Sequence, residues 1–537
     1  MNDPAIAQPL IDDSGWSQEF APPSRPMPIG NRLLTASSPE SIDSRPAIRL
    51  PGDGLLISQF ATELGSLLAE AGIYSRKGYA TAVAKLGQEF ELVTSSWLRS
   101  WIEHHVVPFK VIGNHDIRIN RSMSDDVARA VLASPQFLEA LPEVEGLNPC
   151  PMPVIRADGS LEILSPGLDV PSKTYTADPG FELELMPHEE ATRIVRELLR
   201  EFAWAEDNGR SMGVHLAAML TVFARGVVPA GTHCPVFIYA ANAEGAGKTL
   251  LASLAGVGYP SVAGEAAPTT EEEWQKKLLA LTISGRRLVL IDNCKGEINS
   301  PSLEAYTTAT TYRGRILGTS REFEGDAGAT VLITGNDVDI SGDLRRRSLF
   351  VELFMPELRA EARRYDRILD QDAIRAMRPQ ILSALWSIVH GWDVAGRPPS
   401  SLSNSSFPRW CALIGGIVEH AGFACPVQPA NLESMGDTDT RDFERLAECM
   451  DQDHEYTFEG LANTAKHNGF FEKALRDRDY DDNLTRRSKA IFSKIIKRYS
   501  RRRVSASATF QIEGSGHSKR YVIRVHGQHG SHANPDQ

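Results

Sequence analysis

CPVFIYAANAEGAGKTLLASLAG, residues 234–256, passes from a β-branched and aromatic stretch through a glycine-rich stretch into an apolar one. It reads as strand, loop, helix. Gly247, Lys248 and Thr249 complete the end of the phosphate-cradling pattern GxxxxGK[ST], which sits between a strand and a helix. Asn242 stands where that pattern opens on glycine, and Asn tolerates left-handed backbone better than most residues. The residue types suit the chemistry. Gly245 and Gly247 free the backbone N–H groups of Asn242, Gly245, Ala246, Gly247, Lys248, Thr249 and Leu250 to face phosphate oxygens. Lys248 offers a cation to the β- and γ-phosphates, and Thr249 a hydroxyl to Mg²⁺. A helix beginning near Lys248 adds its dipole. The expected ligands are ATP and Mg²⁺.

Two further stretches extend the pattern. RRLVLIDN (286–293) reads as a buried strand ending in an acid, Asp292, placed to hold Mg²⁺. Asn293 follows, and an amide cannot act as a base at neutral pH. Glu297 is then the candidate general base, with Glu244 a second nearby acid. ATVLITGNDVDISGDLRRRSLFVEL (329–353) reads as a strand ending at Asn336, a polar residue suited to sense the γ-phosphate or hold the attacking water. Asp343 and the run Arg345, Arg346, Arg347 come next. In a ring ATPase such an arginine reaches the neighbouring subunit's nucleotide. The continuous apolar runs suit a parallel sheet covered on both faces. The fold expected is therefore α/β, with a P-loop NTPase core.

The whole chain of 537 residues has 42% hydrophobic and 23% charged residues, enough for several cores. Six cysteines at 150, 234, 294, 411, 425 and 449 form no CxxC pair, so neither a zinc site nor a disulfide framework is expected. There is no long apolar run to enter a membrane and no signal-peptide pattern at the start, and the cytoplasm is the expected location. The net charge of −12 averages over an uneven distribution. LTRRSKAIFSKIIKRYSRRR (484–503) carries nine Lys and Arg and no acid. Ile491, Phe492, Ile495, Ile496 and Tyr499 recur there at helical spacing, opposite a cationic face that includes Arg486, Arg487, Lys494, Lys497, Arg498, Arg501 and Arg502. TFQIEG and KRYVIRVHG follow as two strands. A basic helix before a β-hairpin resembles a winged helix, which implies contact with DNA phosphates.

The expected organisation is a disordered tail (1–47), an N-terminal α/β domain (48–187) opening on an amphipathic helix over 57–75, and a helical linker (188–230). An ATPase core (231–360), a helical region (361–428), a winged-helix-like domain (429–527) and a polar tail (528–537) follow. Asp158-Gly159 in RADGS favours a hairpin.

The order of phosphate loop, LIDN, YRGRILGTSREFEG, TGN and DLRRRSLFVEL resembles the helicase-type ATPases of phages, plasmids and integrated elements. These are related to superfamily 3 helicases and poxvirus-type primase-helicases within the AAA+ class. The resemblance covers about 231–360. It implies a homo-oligomer, a hexameric ring that draws a DNA strand through its pore alongside a primase or other replication proteins. By position, Lys248 and Thr249 match the Walker A residues, Asp292 matches Walker B and Asn336 the sensor asparagine. Arg346 or Arg347 matches the arginine finger. Arg313, Arg315 and Arg321 lie where that family carries a DNA-contacting hairpin. The function implied is an ATP-dependent helicase or translocase for a mobile element. An ATP-switched origin-binding or loading protein, or a catalytically silent DNA-binding scaffold, are the alternatives. No acidic pair of polymerase-like spacing supports primase activity in the N-terminal region.

Overall fold

A computed structural model describes residues 45–52, 54–84, 87–112, 117–241, 245–294, 296–318, 321–336, 338–355, 369–429, 438–476, 484–500, 503–505, 508–514 and 519–525. Asn242, Glu244, Arg501 and Arg502 lie outside the described residues, as do residues 1–44 and 526–537. Glu297, Asn336 and Arg498 are placed by their backbone. Internal contacts divide the chain into two units: Met1–Leu147 with Gly167–Tyr175, and Asn148–Pro166 with Thr176–Gln537.

In the first unit, the helix Ile57–Glu70 buries Phe60, Ala61, Leu64 and Leu68 along one face. It is shorter than its apolar spacing suggests. Gly72 takes φ +82°, and the β-branched Ile73 opens a strand, Ile73–Arg76. That strand turns through Lys77-Gly78, both at positive φ, into Tyr79–Ala84. Two residues of left-handed backbone are what a tight hairpin turn requires.

The second unit is built on a five-stranded parallel sheet. Its strands in chain order are β1 (Val236–Ala241), β2 (Gly264–Ala266), β3 (Leu288–Cys294), β6 (Thr330–Asn336) and β7 (Ser348–Leu353). Two more strands, β4 (Thr311–Arg315) and β5 (Glu322–Asp326), form an antiparallel hairpin between β3 and β6. The order across the sheet is β2-β3-β6-β1-β7, and each neighbouring pair is parallel. Alternation decides the two faces. Phe237, Tyr239 and Ala241 of β1 join one buried cluster, whereas Val236 and Ile238 join another. Helices cover both faces, as a sheet of continuous apolar runs demands. On the first face lies α1 (Arg210–Phe223), with every residue from Gly213 to Phe223 buried. His215 on α1 is fully enclosed beneath β1, and burial pushes its imidazole down to about 3. It stays neutral, with Nδ1 3.1 Å from the Tyr239 hydroxyl. The helix α2 (Lys248–Ala255) follows β1, and α3 (Glu271–Ser284) precedes β3. The short helix α4 (Gly342–Arg346) precedes β7, and α5 (Gln371–Val394) follows it. Arg378 of α5 is buried and donates to the carbonyls of Val257 and Gly258 at 2.9 and 2.5 Å. The expected hairpin around Asp158-Gly159 joins Pro153–Ile155 to Leu161–Ile163.

A separate core organises the C-terminal residues. There α6 (Phe458–His467) and α7 (Arg486–Arg498) pack with an antiparallel sheet of Arg503–Ser505, β8 (Ala508–Glu513) and β9 (Arg520–Val525). Phe443 stacks on Tyr499 at 4.1 Å and meets Phe510 edge-on at 5.1 Å. Among the described residues no helix is long and apolar enough to cross a membrane.

At Gly213, α1 packs closely on a neighbouring backbone. A Cβ there would lie 2.2 Å from the Ala424 carbonyl oxygen, whereas one on Gly342 would meet nothing within 4 Å. Gly213→Val is expected to lower stability by about 1–3 kcal/mol through overpacking. Gly342→Ala should leave the urea midpoint unchanged, and equal midpoints for both variants would contradict the packing described.

Candidate functional site

The carboxyl edge of the parallel sheet gathers most of the expected site. β1 ends at Ala241, and α2 begins at Lys248 after a loop in which Gly245 and Gly247 take φ +74° and +84°. A residue with Cβ would be strained at both. Gly247 is the N-cap of α2 and brings no side-chain acceptor, so the first N–H groups of the helix keep their donor capacity for a ligand. The Phe202 ring backs this turn, 3.4 Å from where a Cβ on Gly247 would stand. Ala246 is buried and Leu250 packs its side chain on the core. These two can therefore offer a ligand their backbone N–H groups.

Asp292 sits near the end of β3. Although 43 residues separate them, the Thr249 hydroxyl donates to Asp292 Oδ1 at 2.8 Å. Two hard oxygen donors meeting beside an open cleft fit a small divalent cation that keeps several waters, as Mg²⁺ does. The cleft has a volume of about 640 Å³ and is lined by Gly264–Thr269, Asp292 and Asn293. Asn293, at φ +56°, is exposed at its rim. β6 runs between β1 and β3. Its register pairs Asn336 with Ala241 and Gly335 with Cys294, so Asn336 ends the central strand level with the start of the glycine-rich loop.

Two residues at this edge carried no signal of their own in the sequence. Thr334 is buried; its hydroxyl donates to Asp292 Oδ1 and accepts the Asn293 N–H at 3.0 Å. It lies two positions before Asn336 on β6. Glu265 lies in the cleft wall and accepts from Lys277 at 2.7 Å and Arg286 at 2.6 Å. Burial alone would raise its carboxyl, but those two cations outweigh it and hold it below the usual range.

The arginine run stands elsewhere. Val236 of β1 pairs with Ser348 of β7, and the Val236 N–H donates to the Arg347 carbonyl at 2.9 Å. Arg345, Arg346 and Arg347 therefore lie at the amino edge of the sheet. Six residues of β7 separate them from the carboxyl edge, a span of roughly 20 Å at about 3.3 Å per residue. They do not join Lys248 of their own chain. Arg346 is exposed and pairs with Asp343. Arg345 lies over the Phe350 ring at 5.6 Å. Glu297 is placed in a two-residue strand paired with Asp339–Ile340.

Arg313, Arg315 and Arg321 fall on the hairpin. It packs on α3, where Gly314 lies against Leu279 and Phe323 is buried. Arg313 is engaged within the hairpin by Glu322, its Nε 2.8 Å from Oε2. Arg315 and Arg321 flank the turn, which carries Leu317 at 72% exposure and Gly318 at φ +75°.

On α7, Phe492, Ile495, Ile496 and Tyr499 are buried as their spacing predicts, but Ile491 is 39% exposed and belongs to the outer face. The apolar stripe is thus narrower than the five residues suggest. Arg486, Arg487, Lys494 and Lys497 are exposed, and none has an ion pair among the described residues. Arg486 and Arg487 occupy the first turn, which holds no acid. Cations at a helix N-terminus oppose its dipole, so this placement does not serve helix stability. Lys489 pairs with Glu459 at 3.2 Å.

No protein-family model matches the chain, and no curated protein matches it. Among solved structures, an apo form of the C terminal region of NrS-1 aligns over 86% of this chain and 98% of its own, at 13% identity and a TM-score of 0.37. A second structure of that region aligns over 87% and 99%, at 13% identity and 0.37. SCCmec type IV Cch, an active helicase, aligns over 82% of each chain at 11% identity and 0.26. At such scores the likenesses carry no structural argument, and the chemistry rests on the geometry above.

The Glu265 cluster gives a pH signature. A carboxyl held low in the folded chain contributes stability above its unfolded value of about 4.3 and loses it as pH falls through the folded value. Glu265→Gln should lower the urea midpoint at pH 7, and its difference from wild type should shrink below about pH 4. A constant difference across that range would contradict the ion-pair assignment.

Proposed function

We propose that the chain is an ATPase of the P-loop, AAA+ type, acting as an ATP-dependent DNA helicase or translocase with its nucleotide sites between subunits of a ring. The observation that carries the reading is the meeting of Thr249 and Asp292 at the carboxyl edge of a parallel sheet, beside a glycine-cradled helix N-terminus. In open α/β sheets ligands bind at that edge. The N–H groups around Gly247 and the Lys248 ammonium hold the triphosphate. Thr249 and Asp292 would hold Mg²⁺, which supplies charge neutralisation at the phosphates. Asn336, level with the loop, orients the attacking water. Glu297 is proposed as the base; the amide of Asn293 cannot accept the proton.

The position of the arginines supports a ring. Arg346 and Arg347 lie a strand's length from their own Lys248, so an arginine that completes a site does so for a neighbouring copy. The DNA contacts proposed are Arg315 and Arg321 at the hairpin turn, with Arg313 stiffening it through Glu322. The cationic face of α7, in a winged-helix-like module, adds phosphate contacts. A second reading, an ATP-switched origin-binding or loading protein without processive unwinding, is favoured by Asn293 alone.

Lys248→Ala is expected to lower ATP turnover by roughly 100-fold or more, as loss of a transition-state charge contact does. Unchanged turnover would remove the central assignment. Whichever of Arg346→Ala and Arg347→Ala also stops turnover should regain about a quarter of it when mixed in equal amounts with Lys248→Ala, because one interface in four then holds both intact groups. No recovery in mixed assemblies would place the arginine outside the neighbour's site. Removing Arg486, Arg487, Lys494 and Lys497 together should flatten the slope of log DNA affinity against log salt by about 3–4. An unaltered slope would take α7 out of the DNA interface.

A further inference from the structure

Asp292 stands at an irregular strand end. The pairing of β3 with β6 slips between Ile291 and Cys294, and Asn293 takes φ +56° within the slip. One residue of the neighbouring strand holds both the side chain and the backbone there. The Thr334 hydroxyl, on a residue 1% exposed, donates to Asp292 Oδ1 and accepts the Asn293 N–H at 3.0 Å. On its other flank the same Oδ1 accepts from the exposed Thr249 at 2.8 Å. Gly264 leaves the third side free: a Cβ there would lie 2.7 Å from Asp292 Cβ and 3.1 Å from Oδ2.

A carboxylate oxygen has two lone-pair sites. With two hydroxyl donors on Oδ1, that oxygen is saturated, and Oδ2, on the side of Gly264, is the oxygen left for a ligand. The two donors differ in kind. Thr249 is exposed in the first turn of α2, so water competes for its hydroxyl. Thr334 is enclosed, and a hydrogen bond to an ionised acceptor in such surroundings is stronger and more rigid. Its single hydroxyl also satisfies the Asn293 N–H, tying the strand slip to the orientation of the carboxylate.

Building on the nucleotide-site reading above, we infer that Thr334 is the positioning residue for divalent-cation binding with nucleotide: it fixes the Asp292 carboxylate so that Oδ2 faces the cation. Thr334→Val keeps the shape and removes the hydroxyl. Asp292 then loses its enclosed donor, and the Asn293 N–H loses its acceptor. Thr334→Ser restores both. Outer partners of this kind change metal affinity by about 10–100-fold.

The test is Mn²⁺ titration of the full chain by electron paramagnetic resonance, with a non-hydrolysable ATP analogue present, alongside binding of a fluorescent ATP analogue in chelator. Thr334→Val should weaken Mn²⁺ by about 10–100-fold and leave metal-free nucleotide binding as in wild type, and Thr334→Ser should recover the Mn²⁺ affinity. Thr334→Ala replaces the valine variant if thermal melting shows that valine disturbs folding. Wild-type Mn²⁺ affinity in the valine or alanine variant overturns the inference alone. An equal loss of metal-free nucleotide binding also overturns it, since the role would then be structural. A wild-type chain that takes up neither nucleotide nor Mn²⁺ overturns the nucleotide site and this inference together.

Discussion

The Thr249 hydroxyl and the Asp292 carboxylate come from opposite ends of a long excursion of chain and meet at 2.8 Å. Their meeting sets a demanding condition on the fold. The glycine-rich loop must leave β1 at the edge where β3 ends, and β6 must lie between the two strands without blocking them. The register of β6 meets that condition: it pairs with β1 on one side and β3 on the other, and brings Asn336 level with Ala241. The apolar clusters on the two faces hold the strands in that register. A slip of one residue would turn every buried side chain to the wrong face, so the packing of Phe237, Tyr239 and Ile238 and the geometry at Asp292 stand or fall together.

The arginine run lies at the opposite edge of the sheet. β7 runs parallel to β1, which places the arginines before it at the amino edge, away from Lys248. Under the proposed function, the two halves of the catalytic arrangement lie at opposite edges of one chain. Copies arranged head to tail would join them, and a heterologous contact of that kind closes into a ring when its rotation permits. Nucleotide state at one edge would then be felt by the neighbour at the other.

Much of the carboxyl edge is legible from residue type and order. Gly247, Lys248 and Thr249 stand out as the end of the GxxxxGK[ST] pattern between an apolar stretch and a helix. Asp292 and Asn336 stand out as polar ends of apolar strands. Thr334 did not stand out, because threonine is an ordinary residue in a β-branched strand; its role comes from a contact between strands, which local spacing does not encode. The edge on which the arginines lie is likewise a property of strand direction rather than of spacing. Ile491 and the early end of the helix at Glu70 show the opposite case, where helical spacing continues past the residues that pack. At Gly72 backbone conformation decides the end, and at Ile491 the width of the buried face does.

The measurement that bears most directly on the assignment is calorimetric titration of a non-hydrolysable ATP analogue into the full chain and its Asp292→Asn variant, each with and without Mg²⁺. One nucleotide per chain is predicted, with Mg²⁺ tightening binding to the wild type and not to the variant. Absence of binding to the wild type, or the same Mg²⁺ effect in both, would contradict a nucleotide and metal site at Lys248, Thr249 and Asp292.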